Sequence, residues 1–456
     1  MGRLTNQTTL KNKQRRHERR YTWGVNDRLQ QTDDSKQGAT KYSYTPTGHL
    51  ENTKFNDGTE QLRTPDAVGN LHDTKDHSNR EYSTWDTRLT KKGSWHYVYD
   101  DDGFLTEKYK GSSGWLGTKT NRWKYNWNAQ GMLQTVTRPD GIKVHFTYDA
   151  LGRRLTKKFK NTTTRWLWDG NVPLHEWKEN SNGVILSNST VADNGIITWV
   201  FEENSFIPTA KLRGDKKYSI LADHLGTPTS MHNEEGETTW ERSLDSNGKV
   251  KTGDNSSCPF LFQGQYYDAE IELAYNRFRY YDPEDGRYIS VDPIGLLSGE
   301  PNLYSYVDNT NAEIDVFGLD TSTDAVLLRN DMIDKGMKAP LSDNSAHHMV
   351  SSNDNRDGME AARNHMESLD VSINSHHNGV FLATNLSTDI SNSPELSKAH
   401  RHSIVHNTNS RTYISSEILK AKTKEDVIIT LNKIRNMHLK GDIALLSNRR
   451  KNSYSK

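Results

Sequence analysis

Across the first two thirds of the chain, aromatic residues recur two apart and the pattern repeats. The segments KYSYTPTGHL (41–50), HYVYDDDGFL (96–105) and KYNWNAQGML (124–133) share one reading. Each runs aromatic, any residue, aromatic, three polar or small residues, Gly, any residue, Leu. RYTWGVNDRL (20–29) fits with Asp27 in the glycine place, and HFTYDALGRR (145–154) fits except at its end. Aromatics two apart lie on one face of a strand. The polar triplet and Gly make a turn in which Gly103 or Gly131 can take a positive φ, and the returning Leu starts the next strand. One such hairpin cannot bury its aromatic face alone, so the copies must stack.

After residue 320 the pattern becomes helical and polar. DAVLLRNDMIDKGM (324–337) places Val326, Leu327, Ile333 and Met337 at roughly helical spacing and ends near Gly336. RDGMEAARNHMESLD (356–370) predicts a second helix. KEDVIITLNKIRNMHL (424–439) predicts a third, with Val427, Ile428, Leu431 and Ile434 on one face. Between them, INSHHNGVFLATN (373–385) predicts a short strand over GVFLA after an Asn-Gly turn.

Composition sharpens that division. All 11 Trp lie between Trp23 and Trp240, and only Tyr413 and Tyr454 of the 20 Tyr come after position 306. Nine of the 18 His, by contrast, lie in the final 137 residues. Two kinds of sequence therefore join near residue 320. Apolar residues make up only 32%, so the first part must build its interior from large rings. The formal net charge is zero, which gives no global field toward nucleic acid or membrane. The single cysteine, Cys258, excludes an intrachain disulfide. No run of 18 apolar residues could span a membrane. The basic start (Lys11, Lys13, Arg15, Arg16, Arg19, Arg20) has no apolar stretch behind it and does not read as a Sec signal.

The repeats resemble the YD repeats of Rhs proteins. The stretch FQGQYYDAEIELAYNRFRYYDPEDGRYISVDPIGLLSGEPNLYSYVDNTNAEIDVFGL (262–319) resembles the end of an Rhs core. The resemblance covers about 300 residues. It implies a β-rich YD-repeat shell fragment over 1–319 that encloses a toxin in its full-length relatives, and so the remainder of a longer Rhs protein or a secretion apparatus as partner. It further implies self-cleavage after Leu319, with Asp292 and Asp315 as the paired carboxylates, one acid and one base. The bland alternative is a pair of turn aspartates.

The histidines of the last part then fall into an order. Ala346-His347-His348-Met349-Val350 comes first, Asn378 stands before the predicted strand, and SKAHRHSIVHNTNSRTY (397–413) follows. His402 and His406 are four apart, hence on one face if that stretch is helical. This order resembles the AHH nucleases of the His-Me finger (HNH and endonuclease VII) superfamily. The resemblance implies a small α+β ββα-metal domain over 320–456, with His348 as general base and Asn378 orienting it. It implies His347, His402 and His406 as metal ligands, with His400 in reserve. His376 and His377 receive no role.

Such a site hydrolyses phosphodiesters: a neutral imidazole takes a proton from water and a divalent ion stabilises the developing charge. Mg2+ is the expected ion in a cell, and Zn2+ or Ni2+ suits the imidazoles. The expected protein is a secreted effector acting in a target cell's cytoplasm on DNA with little sequence preference, and it requires a cognate immunity protein in its producer. From Arg411 onward, 11 Lys or Arg face 4 Asp or Glu, and NRRKNSYSK (448–456) reads as a basic tail for phosphate or as a solvated end. An RNase using the same site, and a carbohydrate- or cell-surface-binding repeat protein with an inactive tip, stand as alternatives.

Overall fold

The structure is a computed structural model. It describes residues 3–25, 28–111, 119–187, 193–203, 205–295, 302–319, 328, 331–333, 335–337, 344–351, 358–383, 399 and 408–442. The chain forms two compact units, Met1–Thr321 and Ser322–Lys456.

The first unit is all β in its described residues. Strands between Asn6 and Leu62 form a six-stranded sheet, and strands between Arg80 and Glu241 form a fifteen-stranded one, both with sequence neighbours paired. Every pair is antiparallel, as short hairpin connections require. The repeat explains the hairpins. Asp100 Oδ1 accepts the Phe104 N–H at 2.8 Å, Asn128 Oδ1 accepts that of Met132 at 2.9 Å, and Asp149 Oδ1 accepts that of Arg153 at 2.8 Å. Gly103 and Gly131 take φ of +88° and +72°, which a β-carbon would strain. In several motifs the second aromatic then reaches back one repeat: the Tyr148 hydroxyl donates to Leu133 O at 2.7 Å, and the Trp127 indole N–H to Leu105 O at 2.8 Å. Its ring is half-buried while its polar tip is satisfied.

The returning leucines Leu29, Leu50, Leu89, Leu105 and Leu133 are all buried. Against the inner face of the long sheet lies a four-stranded sheet: Tyr266–Asp268, Leu273–Asn276, Arg279–Asp282 and Arg287–Tyr288. Tyr97, Trp123, Tyr125, Val136, Val144 and Phe146 pack on Ile271, Leu273, Tyr275 and Tyr280. Buried ion pairs pin the two layers: Lys108 to Asp282 at 2.8 Å, Lys157 to Asp268 at 2.9 Å, and Arg154 to Asp268. The inner sheet is thereby fixed in register, and the junction site hangs from it.

The second unit is α+β. Strands Asn344–His348 and Gly379–Ala383 pair antiparallel. Helices α1 (Met359–Ser368), α2 (Thr408–Ile418) and α3 (Lys424–Lys440) surround one core of Met349, Val350, Met366, Val380, Leu382, Ile414, Leu431 and Ile434. A capping box explains where α3 starts: Thr423 accepts the Asp426 N–H while Asp426 accepts that of Thr423. It ends at Gly441 with φ +72°. Residue 328 and residues 331–333 are helical, and the rest of the helix predicted over 324–337 lies mostly outside the described residues. The strand over GVFLA is present, but the Asn-Gly turn is not. Asn378 closes a 3-10 turn and Gly379 is extended, with φ −106°.

Candidate functional site

The described candidate residues fall into two groups, one in each unit. In the first unit, Asp292 and Asp315 are 5% and 1% exposed. One guanidinium nitrogen of Arg279 lies 3.0 Å from Asp292 Oδ2 and 3.2 Å from Asp315 Oδ2. The structure therefore brings the two aspartates onto a single cation. Arg279 also donates from Nε to Gly318 O at 2.5 Å and from Nη1 to Leu303 O at 3.2 Å, and it stacks on the Tyr288 ring at 3.6 Å. The Tyr288 hydroxyl donates to Asp315 Oδ2 at 2.8 Å.

The other Asp315 oxygen accepts the Leu319 N–H at 3.1 Å and the Phe317 N–H at 3.3 Å. The segment leading into residue 319 is thus folded over the carboxylate pair. Gly318 is required there. Its φ is +65°, and a β-carbon would stand 2.5 Å from Asn276 O. Burial pushes the Asp315 carboxyl up against the opposing pull of Arg279 and Tyr288. Burial, then Asp315, pushes the Tyr288 phenol far above its ordinary value. The bland role is met too, because Asp292 Oδ1 also caps its turn by accepting the Ile294 N–H at 2.9 Å.

In the second unit, His347 pairs with Val380 and His348 with Gly379. The two residues are neighbours at the end of their strand, and their rings meet different partners. His347, 3% exposed, shares the helix-side face with Val380, and its ring meets that of His438 on α3 edge to face, centroids 5.4 Å apart. His348, 8% exposed, sets Nε2 2.9 Å from Asn374 Oδ1. An amide oxygen only accepts, so this contact calls for a proton on His348 Nε2.

The side chain that meets the His348 ring at this distance is Asn374. Asn378 is fully buried and its amide is used up on backbone. It accepts the Val350 N–H at 2.8 Å and donates to Val350 O and Ile373 O, both at 2.9 Å. It pins the strand end to the loop that carries Asn374. Nearby, His376 donates from its backbone N–H to Asp331 at 2.6 Å, and its Nδ1 lies 2.9 Å from the same oxygen. Arg435 of α3 holds the carbonyls of His376, His377 and Gly379.

His402, His406 and the reserve ligand His400 lie outside the described residues, as does the tail 448–456. Among the described residues no cluster of three or more His, Cys, Asp or Glu is poised to hold a metal. The donors present on the helix side of the hairpin are imidazoles, which fit a divalent transition ion. Arg279, Tyr288, Asn374 and His438 were not singled out from sequence.

Residues 1–311 match the Teneurin YD-shell family. Among curated proteins, the chain is 32% identical over 238 residues to the probable deoxyribonuclease RhsB of Dickeya dadantii (strain 3937), covering 51% of this chain and 16% of that one. It is 31% identical over 326 residues to the double-stranded DNA deaminase toxin A of Burkholderia cenocepacia (strain H111), covering 66% of this chain and 22% of that one. It is 25% identical over 201 residues to the tRNA3(Ser)-specific nuclease WapA of Bacillus spizizenii, covering 42% and 8%. The chain thus spans less than a quarter of the length of these relatives. Among solved structures, TcdB2-TccC3 without its hypervariable C-terminal region aligns at 17% identity and a TM-score of 0.42, over 66% of this chain and 18% of that one.

Proposed function

Because the chain belongs to the Teneurin YD-shell family, we propose that it is the C-terminal part of an Rhs-type toxin whose second unit is a metal-dependent endonuclease of the His-Me finger type. One observation carries the nuclease reading: the His348 ring is held at the end of a hairpin by its contact with Asn374. In this reading Nδ1 of His348 takes a proton from water, and the resulting hydroxide attacks phosphorus while the leaving oxygen departs. A divalent ion held by His347 with His402 and His406 would neutralise charge on the leaving oxygen. Asn378 and Arg435 hold the loop and hairpin rigid, so the base is placed before substrate arrives. Full-length protein supplied in turn with Mg2+, Zn2+ and Ni2+ should nick plasmid with at least one of them, and His348→Ala should abolish nicking while the protein stays folded. Unchanged nicking in that variant sinks the assignment. One relative is named a tRNA nuclease, so digestion of tRNA beside plasmid decides the substrate.

The first unit is assigned release of the second by cleavage after Leu319. Asp315, raised by burial, supplies a proton to the leaving amide nitrogen of residue 320. Asp292, ionised beside Arg279, takes one from the attacking water. Arg279 positions both and holds Gly318 O, the carbonyl one residue before the bond. Native expression should give two bands, with a new N-terminus at Asp320. Asp292→Asn or Asp315→Asn should leave one. A single full-length band from the unaltered chain counts against self-cleavage.

The reading places DNA as substrate, a cognate immunity protein in the producer, and action in the cytoplasm of a competitor. No described helix is long and apolar enough to cross a membrane.

A further inference from the structure

The apolar face of α3 breaks its own rule at one position. Val427, Leu431 and Ile434 are fully buried at helical spacing, and the next place on that stripe is His438, also fully buried. An apolar residue there would extend the core without the cost of burying a polar ring. The ring it meets is His347, which leaves the hairpin on its helix side. Nδ1 of His347 and Nε2 of His438 are both shielded from solvent.

Two imidazoles that share one ion are limited to a narrow range of separations. An imidazole bound through nitrogen at about 2.0–2.1 Å holds its ring centre roughly 3 Å from the ion. Two such rings on a tetrahedral ion then have centres roughly 5 Å apart. The observed separation is 5.4 Å, with planes inclined at 81°. We propose that His438 is a further ligand of the divalent ion at this hairpin, paired with His347, and that the pair selects an imidazole-preferring transition ion over Mg2+. This rests on the reading of the second unit as a metal-dependent nuclease. The selectivity follows from ligand chemistry: imidazole suits Zn2+ and Ni2+, whereas Mg2+ takes oxygen donors. Anchoring the ion on α3 also ties the hairpin to a helix about 90 residues further along the sequence. Metal binding would therefore raise the unit's stability as well as serve its chemistry.

The test uses the full-length chain and Co2+ as the probe. The unaltered protein should bind one equivalent with a visible ligand-field band, displaced by equimolar Zn2+ or Ni2+ and not by equimolar Mg2+. Loaded protein should also show shifted imidazole proton resonances from His438. His438→Leu continues the apolar stripe and should fold; it should lose more than about 100-fold in Co2+ affinity, beyond what a residue acting only through a ligand costs. His348→Ala should keep the affinity while losing plasmid nicking. Equal Co2+ affinity in His438→Leu and the unaltered chain, or no shifted His438 resonance, overturns the proposal. If the unaltered chain still nicks plasmid under those results, the nuclease reading survives without His438. If the unaltered chain binds Co2+ through His438 yet nicks neither plasmid nor tRNA, the nuclease reading fails and the ion site stands.

Discussion

Arg279→Met isolates the physics of the junction. The methionine keeps most of the buried stem and removes a guanidinium that faces two carboxylates and two carbonyls. All three charged side chains are nearly solvent-free, at 2%, 4% and 2% exposure. Breaking a buried ion pair by removing one partner costs about 3–5 kcal/mol, because the charge left behind stays desolvated. The lost bonds to Gly318 O and Leu303 O belong to the same deficit and add up to about 1 kcal/mol each. The first unit should therefore lose roughly 3–7 kcal/mol at neutral pH.

The deficit must depend on pH, and its sign is fixed. The Asp315 carboxyl in the folded protein lies above its unfolded value. Between those two values the folded state binds more protons, so this group's contribution to stability falls as pH rises through the interval. Removing Arg279 removes a charge that opposes the rise, so the interval widens upward. The variant's deficit should accordingly shrink as pH is lowered from about 7.5 toward 5. Urea unfolding followed by tryptophan fluorescence reads the right unit, because all 11 Trp lie between Trp23 and Trp240. Arg279→Met combined with Asp315→Asn should lose less than the sum of the single losses, by about 1–3 kcal/mol. A deficit under about 1 kcal/mol, or one that is flat with pH, refutes the view that Arg279 neutralises a buried carboxylate pair.

Three further outcomes are expected. Asn374→Ala should lower plasmid nicking by about 10–100-fold with little change in stability, whereas Asn378→Ala, which deletes three buried hydrogen bonds, should cost about 2–4 kcal/mol; nicking rates and circular-dichroism melts of each variant separate the roles. Gly318→Ala should destabilise the first unit by about 1–3 kcal/mol and suppress the cleaved band on a gel, since its φ and the approach of Asn276 O both exclude a β-carbon. Cys258 is fully buried and burial pushes its thiol pKa up, so a disulfide reagent should leave it unmodified in native protein and label it once urea is added.

The aromatic hairpins were legible because one face of each strand is buried and the other is solvated, so side-chain period and turn chemistry agree. The signal fades where burial is two-sided. Arg279–Asp282 is buried at every residue, so its sequence shows no alternation, and Arg279 reads like any other cation in NRFRYYDPEDGR. A charged residue in the middle of an aromatic run was the available warning, since such a position demands a partner. Asn374 was hidden for another reason. Both Asn374 and Asn378 precede the strand, and which amide meets His348 depends on the 3-10 turn between them. Spacing does not encode the direction of a turn side chain. His438 could have been found by carrying the stripe of Val427, Leu431 and Ile434 one step further.

The ion pairs under the long sheet bear on why the junction can be so exacting. A chain with 32% apolar residues has placed Lys108, Asp282, Asp285, Arg154, Lys157 and Asp268 in its interior. Burial pushes Asp282 up to about 6 despite Lys108, while Lys108, Lys92 and Arg80 together hold Asp285 well below the ordinary carboxylate range in spite of its burial. Such pairs roughly break even against apolar packing, so stability alone does not explain them. They do penalise any slip of the inner sheet, because a shift of one residue would leave buried charges facing rings. Tyr288, which holds Asp315, sits directly opposite Tyr281 in that sheet, beside the Asp282 that Lys108 anchors. Register fixed by Lys108 on the long sheet is therefore transmitted, through two paired strands, to the carboxylates that meet on Arg279.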